Sequence, residues 1–294
     1  MNYTDFSKPQ LAYRYEFAVD ELDAAQACVE AHGFAVVKQM LDEARVAELQ
    51  AAVLDVVDPN HELGPGQSRT HTSFMEHAPA MWKLLDDEQF MRSQRVFTQA
   101  DELTLNRSAA IIRNPGSAPL VWHSDWRGFH KGAPRQANEI LNRGDWPSGI
   151  WFYLTGSNPQ HGGLAVIENS HVADWSGPEG FTLTEDGASF YPNGGEPKGY
   201  VGFDVPGIVP LFTDPGDMIV FAHRTYHAAF PNQTDRVRLS CGLNFRPRQV
   251  QVAAPWPLSA AGQAFVQAQP VHVQPLVANY IGIDATWRSE GMTG

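Results

Sequence analysis

From about residue 104 onward the chain is cut into short β-type runs separated by turn residues, and this rhythm narrows the possible folds more than any other feature. The runs are Ala109 to Ile112, Leu120 to Trp122, Ile150 to Leu154, Leu164 to Ile167, Ile208 to Phe212, Met218 to Phe221 and Val237 to Phe245. Turns such as Asn114-Pro115-Gly116, His161-Gly162-Gly163 and Asp214-Pro215-Gly216-Asp217 punctuate them. Many short strands with frequent turns build a sandwich, barrel or jelly roll. The first hundred residues read differently. Asp20 to Ala31 is expected as a helix that buries Leu22, Ala25 and Val29 and stops at His32-Gly33. Phe34 to Val37 is a short apolar strand. Leu41 to Val57 is a second helix with Asp42 as its N-cap, and Met81 to Phe97 a third. The polar segment His61 to Thr72 reads as a loop, residues 1–19 as an irregular arm, and the part beyond Gln251 as a loop with a short helix. The fold class expected is therefore α+β: a mainly β core with the N-terminal helices packed on one sheet.

A single domain spanning 1–294 is expected, helical over 1–100, with a β core over 104–248 and a C-terminal extension over 249–294. Two Gly/Pro-rich stretches, 127–147 and 172–206, are too long for plain connections and read as functional loops. The hydrophobic share of 43% and charged share of 18% are those of an ordinary globular protein. The net charge of −12 argues against a nucleic-acid partner, because phosphate neutralisation needs clustered Lys and Arg. Two cysteines, Cys28 and Cys241, are too few for a disulfide scaffold, and the start Met1-Asn2-Tyr3-Thr4-Asp5 lacks the features of a signal peptide. A cytoplasmic location is expected. No apolar run approaches the ~20 residues of a membrane span. Association into a homo-oligomer is left open.

Chemistry concentrates in Leu120-Val121-Trp122-His123-Ser124-Asp125-Trp126. In an extended run alternate side chains share a face, so His123 and Asp125 point the same way. A third donor is needed for a metal, and His227, with His223 as its competitor, is the candidate. Two histidines and one carboxylate on one face of a metal leave the opposite positions open, the arrangement of non-haem Fe(II) oxygenases.

Four segments, in order, resemble the phytanoyl-CoA dioxygenase-like family of Fe(II)/2-oxoglutarate oxygenases. They are His32-Gly33-Phe34-Ala35-Val36-Val37; Asn114-Pro115-Gly116 leading to His123-Ser124-Asp125; Trp151 to Leu154 with His161-Gly162-Gly163 and Asn169-Ser170-His171; and Pro215-Gly216-Asp217, His227, and Pro231-Asn232 followed by Arg236 and Arg238. Asn169 stands where the family usually has Gly, a position tolerating positive φ. The resemblance implies a double-stranded β-helix (jelly roll, cupin-like) holding Fe(II) on His123, Asp125 and His227, since His227 keeps the family's spacing from Gly216-Asp217. It also implies 2-oxoglutarate as cosubstrate, O₂ as oxidant, and an arginine gripping the far carboxylate of 2-oxoglutarate. Arg238 has the family's offset from His227. Arg236 has the same parity, and Ser240 would add a hydroxyl. A planar guanidinium gives a bidentate grip that a lysine lacks. Asn106, Arg113 and Ser108 are candidates for the same pocket.

Related halogenases replace the carboxylate with a small residue, so Asp125 favours hydroxylation, or desaturation, of a C–H bond. The loop Trp126-Arg127-Gly128-Phe129-His130-Lys131-Gly132-Ala133-Pro134-Arg135 concentrates positive charge in an acidic chain and points to a small anionic substrate. Trp126, Arg127, His130 and Trp151 are its expected contacts, with Trp122 and Trp146 as further walls. The competing readings are a cupin-like metal-dependent isomerase or hydrolase, and a non-catalytic β-barrel binding protein.

Overall fold

Helix α1 (Leu22–His32) ends at Gly33, whose φ of +89° a side chain would resist. A Cβ there would also lie 2.7 Å from His171 Nδ1. The computed structural model describes residues 6–125, 147–172, 174–250, 254 and 256–282. Beyond Gly33 runs β2 (Phe34–Val37), buried along its whole length and paired in parallel with β1 (Glu16–Phe17). Helix α2 (Glu43–Val57) starts as expected at Asp42, whose carboxylate accepts from the Arg45 amide at 2.7 Å. The expected third helix is broken instead. It comprises α3 (Pro79–Trp82), a 3₁₀ turn (Lys83–Asp86) and α4 (Glu88–Thr98). Asp87 restarts the chain by capping the Phe90 amide at 2.9 Å. Buried Met81, Leu84, Leu85, Phe90 and Phe97 continue across the break, which is why the pattern reads as one helix.

The remaining strands are β3 (Ser68–Thr72), β4 (Leu103–Arg113), β5 (Pro147–Tyr153), β6 (Leu164–Ile167), β7 (Phe181–Leu183), β8 (Phe190–Pro192), β9 (Ile208–Pro210), β10 (Met218–Ala222), β11 (His227–Ala229) and β12 (Arg238–Pro247). A seven-stranded sheet has the order β1-β2-β10-β5-β12-β4-β3, and a three-stranded sheet the order β11-β6-β9. These are the two sheets of a double-stranded β-helix, mainly β with flanking helices. Its outer face carries Ile112, Phe152, Leu239 and Cys241, which share one apolar cluster with Leu49 and Val53 of α2 and Phe90 of α4. Its inner face carries the opposite parity: Arg113 beside Arg238, Ile111 beside Ser240, Ala109 beside Gly242, and Arg107 beside Asn244.

Three sequence expectations need correction. The segment read as a loop through Thr72 ends in β3, an edge strand on β4. Leu120 to Trp122 is not a regular strand. The stretch 172–206 contains the β7–β8 hairpin, and its Phe190 and Phe203 cover the outer side of the small sheet with Trp122, Tyr226 and Phe230. Asn169 does adopt positive φ, at 60°. Among the described residues no helix is long and apolar enough to cross a membrane.

The Gly216-Asp217 turn ties β10 to the helical layer. Gly216 accepts from the Leu41 amide at 3.0 Å, and a Cβ there would lie 2.4 Å from the Leu41 carbonyl oxygen. Asp217, fully buried, accepts from the amides of Gln39 at 3.0 Å and Asp214 at 2.8 Å, and from Lys38 Nζ. Asp217→Ala strands those donors and is expected to cost about 2–4 kcal/mol. The expected readout is a lower urea midpoint with an unchanged m-value; an unmoved midpoint would refute the role.

Candidate metal centre

The segment before Asp125 is held as a strand without being a regular one. The Leu120 amide donates to Ala229 O at 2.8 Å, and His123 and His227 exchange both main-chain bonds, at 3.0 and 2.8 Å. On the other side the Trp122 amide donates to Tyr200 O at 2.9 Å and that of Ser124 to Ala188 O at 3.0 Å. This alternation turns His123 inward and Trp122 outward. Trp122 is fully buried in the outer aromatic cluster, with Nε1 donating to Gly202 O at 2.7 Å, so it does not wall the pocket.

The His123–His227 bridge brings the two rings to a centroid separation of 4.3 Å. His123 Nδ1 lies 2.8 Å from Val121 O, and His227 Nδ1 lies 2.9 Å from Thr225 O. A carbonyl only accepts, so each Nδ1 carries the proton and each Nε2 keeps its lone pair for a ligand. Both Nε2 atoms are 4.0 Å from Asp125 Oδ1, and the three residues can offer ligand atoms all within 4.8 Å of one another. Burial alone would raise the Asp125 carboxyl, but His227, Arg107 and His123 outweigh it and hold the group well below the usual carboxylate range. Burial, with the nearby His123, lowers His227 to about 4, so its imidazole is neutral at neutral pH. An ionised carboxylate and a neutral imidazole are the ligating forms.

Beside the centre lies a cavity of about 160 Å³ whose lining includes Thr70, Thr72, Arg107, Asp125, Trp151 and Asn244. Arg107 Nη2 is 3.6 Å from Asp125 Oδ2. At the other end of the inner face Arg238 is buried, its guanidinium 4.8 Å from the centroid of the Tyr153 ring. Among the described residues Arg238 Nε and Ser240 Oγ have no hydrogen-bond partner. Arg113, opposite Arg238 in register, donates to Ala118 O and, at 3.4 Å, to Ser117 Oγ. Burial and the Arg238 charge lower Arg113 to about 10.

Other candidates fall elsewhere. Arg236 is exposed in the turn before β12, where its carbonyl accepts from Asn232 Nδ2 at 2.8 Å. Parity fails for it because the strand begins only at Arg238. Asn106, next to inner-facing Arg107, has the opposite parity, and its Oδ1 accepts from Arg246 Nη1 at 2.9 Å. Ser108 Oγ accepts from the Met75 amide at 2.7 Å, on the helical side. His223 is buried near Asp125 but does not belong to the group of three. Trp126, Arg127, His130 and Trp146, and nearly all of the 127–147 loop, lie outside the described residues. Sequence reasoning missed Arg107, Asn244, Thr70 and Thr72. The signal for Arg107 is its even spacing from Arg113, hidden because β4 was read as four residues long.

The family model described as phytanoyl-CoA dioxygenase (PhyH) matches residues 29–240. No curated protein matches. Among solved structures, the chain is similar to "the non-heme alpha ketoglutarate dependent epimerase SnoN from nogalamycin biosynthesis", at 19% identity over 78% of this chain and 84% of that one, with a TM-score of 0.56. It is similar to HygX from Streptomyces hygroscopicus, solved with nickel, 2-oxoglutarate and hygromycin B, at 18% identity over 75% and 85%, TM-score 0.56. EctD from S. alaskensis, in its apoform, matches at 18% identity over 79% of each chain, also at 0.56. At these identities the likeness is one of fold.

Arg238 also acts on His161, whose ring nitrogens lie 2.8 Å from Thr234 Oγ1 and 3.2 Å from Thr155 Oγ1. Burial first, then the charges of Arg236 and Arg238, lower His161 to about 4. The unfolded chain therefore binds a proton near pH 6.5 that the folded chain refuses until about pH 4, so stability drops as the pH is lowered across that window. The loss is on the order of 2 kcal/mol. His161→Gln is expected to flatten the slope of metal-free stability between those pH values; an unchanged slope would refute this.

Proposed function

This chain belongs to the phytanoyl-CoA dioxygenase family of Fe(II)- and 2-oxoglutarate-dependent enzymes, and on that premise we propose that it hydroxylates an unactivated C–H bond of a small anionic molecule. The observation that carries the reading is the joint presence of the His123–Asp125–His227 donor set and a buried Arg238 whose Nε, like the nearby Ser240 hydroxyl, has no partner among the described residues. The donor set fits Fe(II) by its chemistry: two imidazoles whose Nδ1 faces a carbonyl and whose Nε2 faces the centre, and one ionised carboxylate. The far carboxylate of 2-oxoglutarate is assigned to Arg238 and Ser240. Bound iron with 2-oxoglutarate and O₂ supplies an oxidant strong enough for a C–H bond. The overall reaction is R–H + 2-oxoglutarate + O₂ → R–OH + succinate + CO₂.

The chain's own contribution is position and charge. Val121 O and Thr225 O orient the two rings, Arg107 stands 3.6 Å from the second oxygen of Asp125, and buried Arg238 and Arg113 make a positive end for a dicarboxylate. The retained Asp125 leaves no vacated ligand position for a halide, which supports hydroxylation over halogenation. The structural neighbours named as an epimerase and a carbocyclase make product analysis part of the test. The isomerase or hydrolase reading has no use for a buried Arg238.

Anaerobic addition of Fe(II) and 2-oxoglutarate is expected to give a weak visible charge-transfer band. His123→Ala should abolish it, and Arg238→Ala should raise the 2-oxoglutarate needed by about tenfold or more. Substrate product should gain one oxygen atom rather than isomerise or lose two hydrogens. A wild-type protein that gives no band, or that takes only zinc, overturns the oxygenase reading.

A further inference from the structure

The described inner face carries three cations, Arg107, Arg113 and Arg238, against one anion, Asp125. Fe(II) and the 2-oxoglutarate dianion cancel each other, so the loaded site retains two uncompensated positive charges among these residues. Arg113 caps its own turn through Ala118 O and Ser117 Oγ, and Arg238 lies over Tyr153 where the cosubstrate is assigned. Arg107 differs from both. It lines the open cavity, and its charged partner among the described residues is Asp125 Oδ2 at 3.6 Å. That distance is long for a charge-assisted bond, whose usual range is about 2.7–2.9 Å. The contact uses little of a group with five donors. Once Asp125 ligates a divalent ion, the carboxylate charge is shared with the metal and Arg107 loses most of its counterion.

Resting on the oxygenase reading, we propose that Arg107, with Asn244 opposite it on β12, is the subsite that takes an anionic oxygen group of the substrate, a carboxylate or a phosphate monoester. Trp151, on the same cavity wall, offers a flat apolar surface to the rest of the molecule. Thr70 and Thr72 at the edge strand supply hydroxyls to the cavity. Arg107 thereby sets specificity and leaves the cosubstrate to the opposite end of the face.

The test uses protein loaded with Co(II) and 2-oxoglutarate, titrated with small carboxylates and phosphate monoesters, each beside its neutral amide or alcohol. Binding is read from the visible absorption of Co(II). At least one anion is expected to bind tenfold or more tighter than its neutral partner, and whether carboxylates or phosphates lead identifies the group. Arg107→Gln should erase that preference while the affinities for metal and 2-oxoglutarate stay within about threefold. Arg107→Lys, which keeps the charge and loses the fork, should restore part of it. Asn244→Ala should weaken the same anion without touching 2-oxoglutarate. The proposal is overturned if neutral partners bind as well as anions, if Arg107→Gln keeps the preference, or if it loses metal as fast as anion, which would make Arg107 only a support for Asp125. Failure of the oxygenase reading looks different: wild type then lacks the Fe(II) band, and the anion preference is read by calorimetry on metal-free protein.

Discussion

The centre depends on one pair of backbone hydrogen bonds, exchanged between His123 and His227. Residues that trade both bonds across an antiparallel bridge stand directly opposite each other, so their side chains share a face and a fixed separation. Two donors far apart in sequence are thereby set side by side without any help from the metal. The structure around the bridge keeps it in place. Ala229 holds the segment at Leu120, while Ala188 and Tyr200 of the 172–206 insertion hold it from the opposite side. Behind them Phe190, Phe203, Tyr226 and Phe230 pack around Trp122. The insertion thus acts as a brace for the ligand segment.

The inner face of β4 and β12 divides the remaining work by distance along the strands. One end pairs Arg113 with Arg238, the other pairs Arg107 with Asn244, and between them Ala109 faces Gly242 and Ile111 faces Ser240. Ala109, Gly242 and Ser240 are small and leave room in the middle, and cations at both ends attract charge. Antiparallel pairing allows this because alternate residues on each strand add to the same face in register. The outer face of the same strands is apolar and carries the helices, so binding and folding are written on opposite parities of one sequence.

Much of this was legible beforehand. The helix stop at Gly33, the cap at Asp42 and the strands β2 and β6 follow from local chemistry that acts over a few residues. Arg238 and the grouping of His123, Asp125 and His227 were reachable through motif order. Apart from the helix broken locally at Asp87, the misses are mostly cases in which a distant partner decides. Polar Ser68–Thr72 becomes a strand because β4 offers it an edge. Asn106 alternates away from Arg107, and its side chain is taken up by Arg246, 140 residues further along the chain. Arg236 shares a face with Arg238 only if the strand already runs there, and β12 begins at Arg238. Arg107 escaped notice because polar Thr104, Asn106 and Ser108 around it hide a strand that is buried by tertiary packing.

The adjacency of Arg113 and Arg238 has a consequence for the life of the protein in a cell. Two buried guanidinium groups opposite each other in register repel, and burial first, then that repulsion, lower Arg113 to about 10. A dianion seated there relieves the repulsion in the folded state and finds no such pair in the unfolded chain. By mass action the folded population then grows with the concentration of that dianion. If the cosubstrate is that dianion, it stabilises the fold of the enzyme as well as serving its reaction.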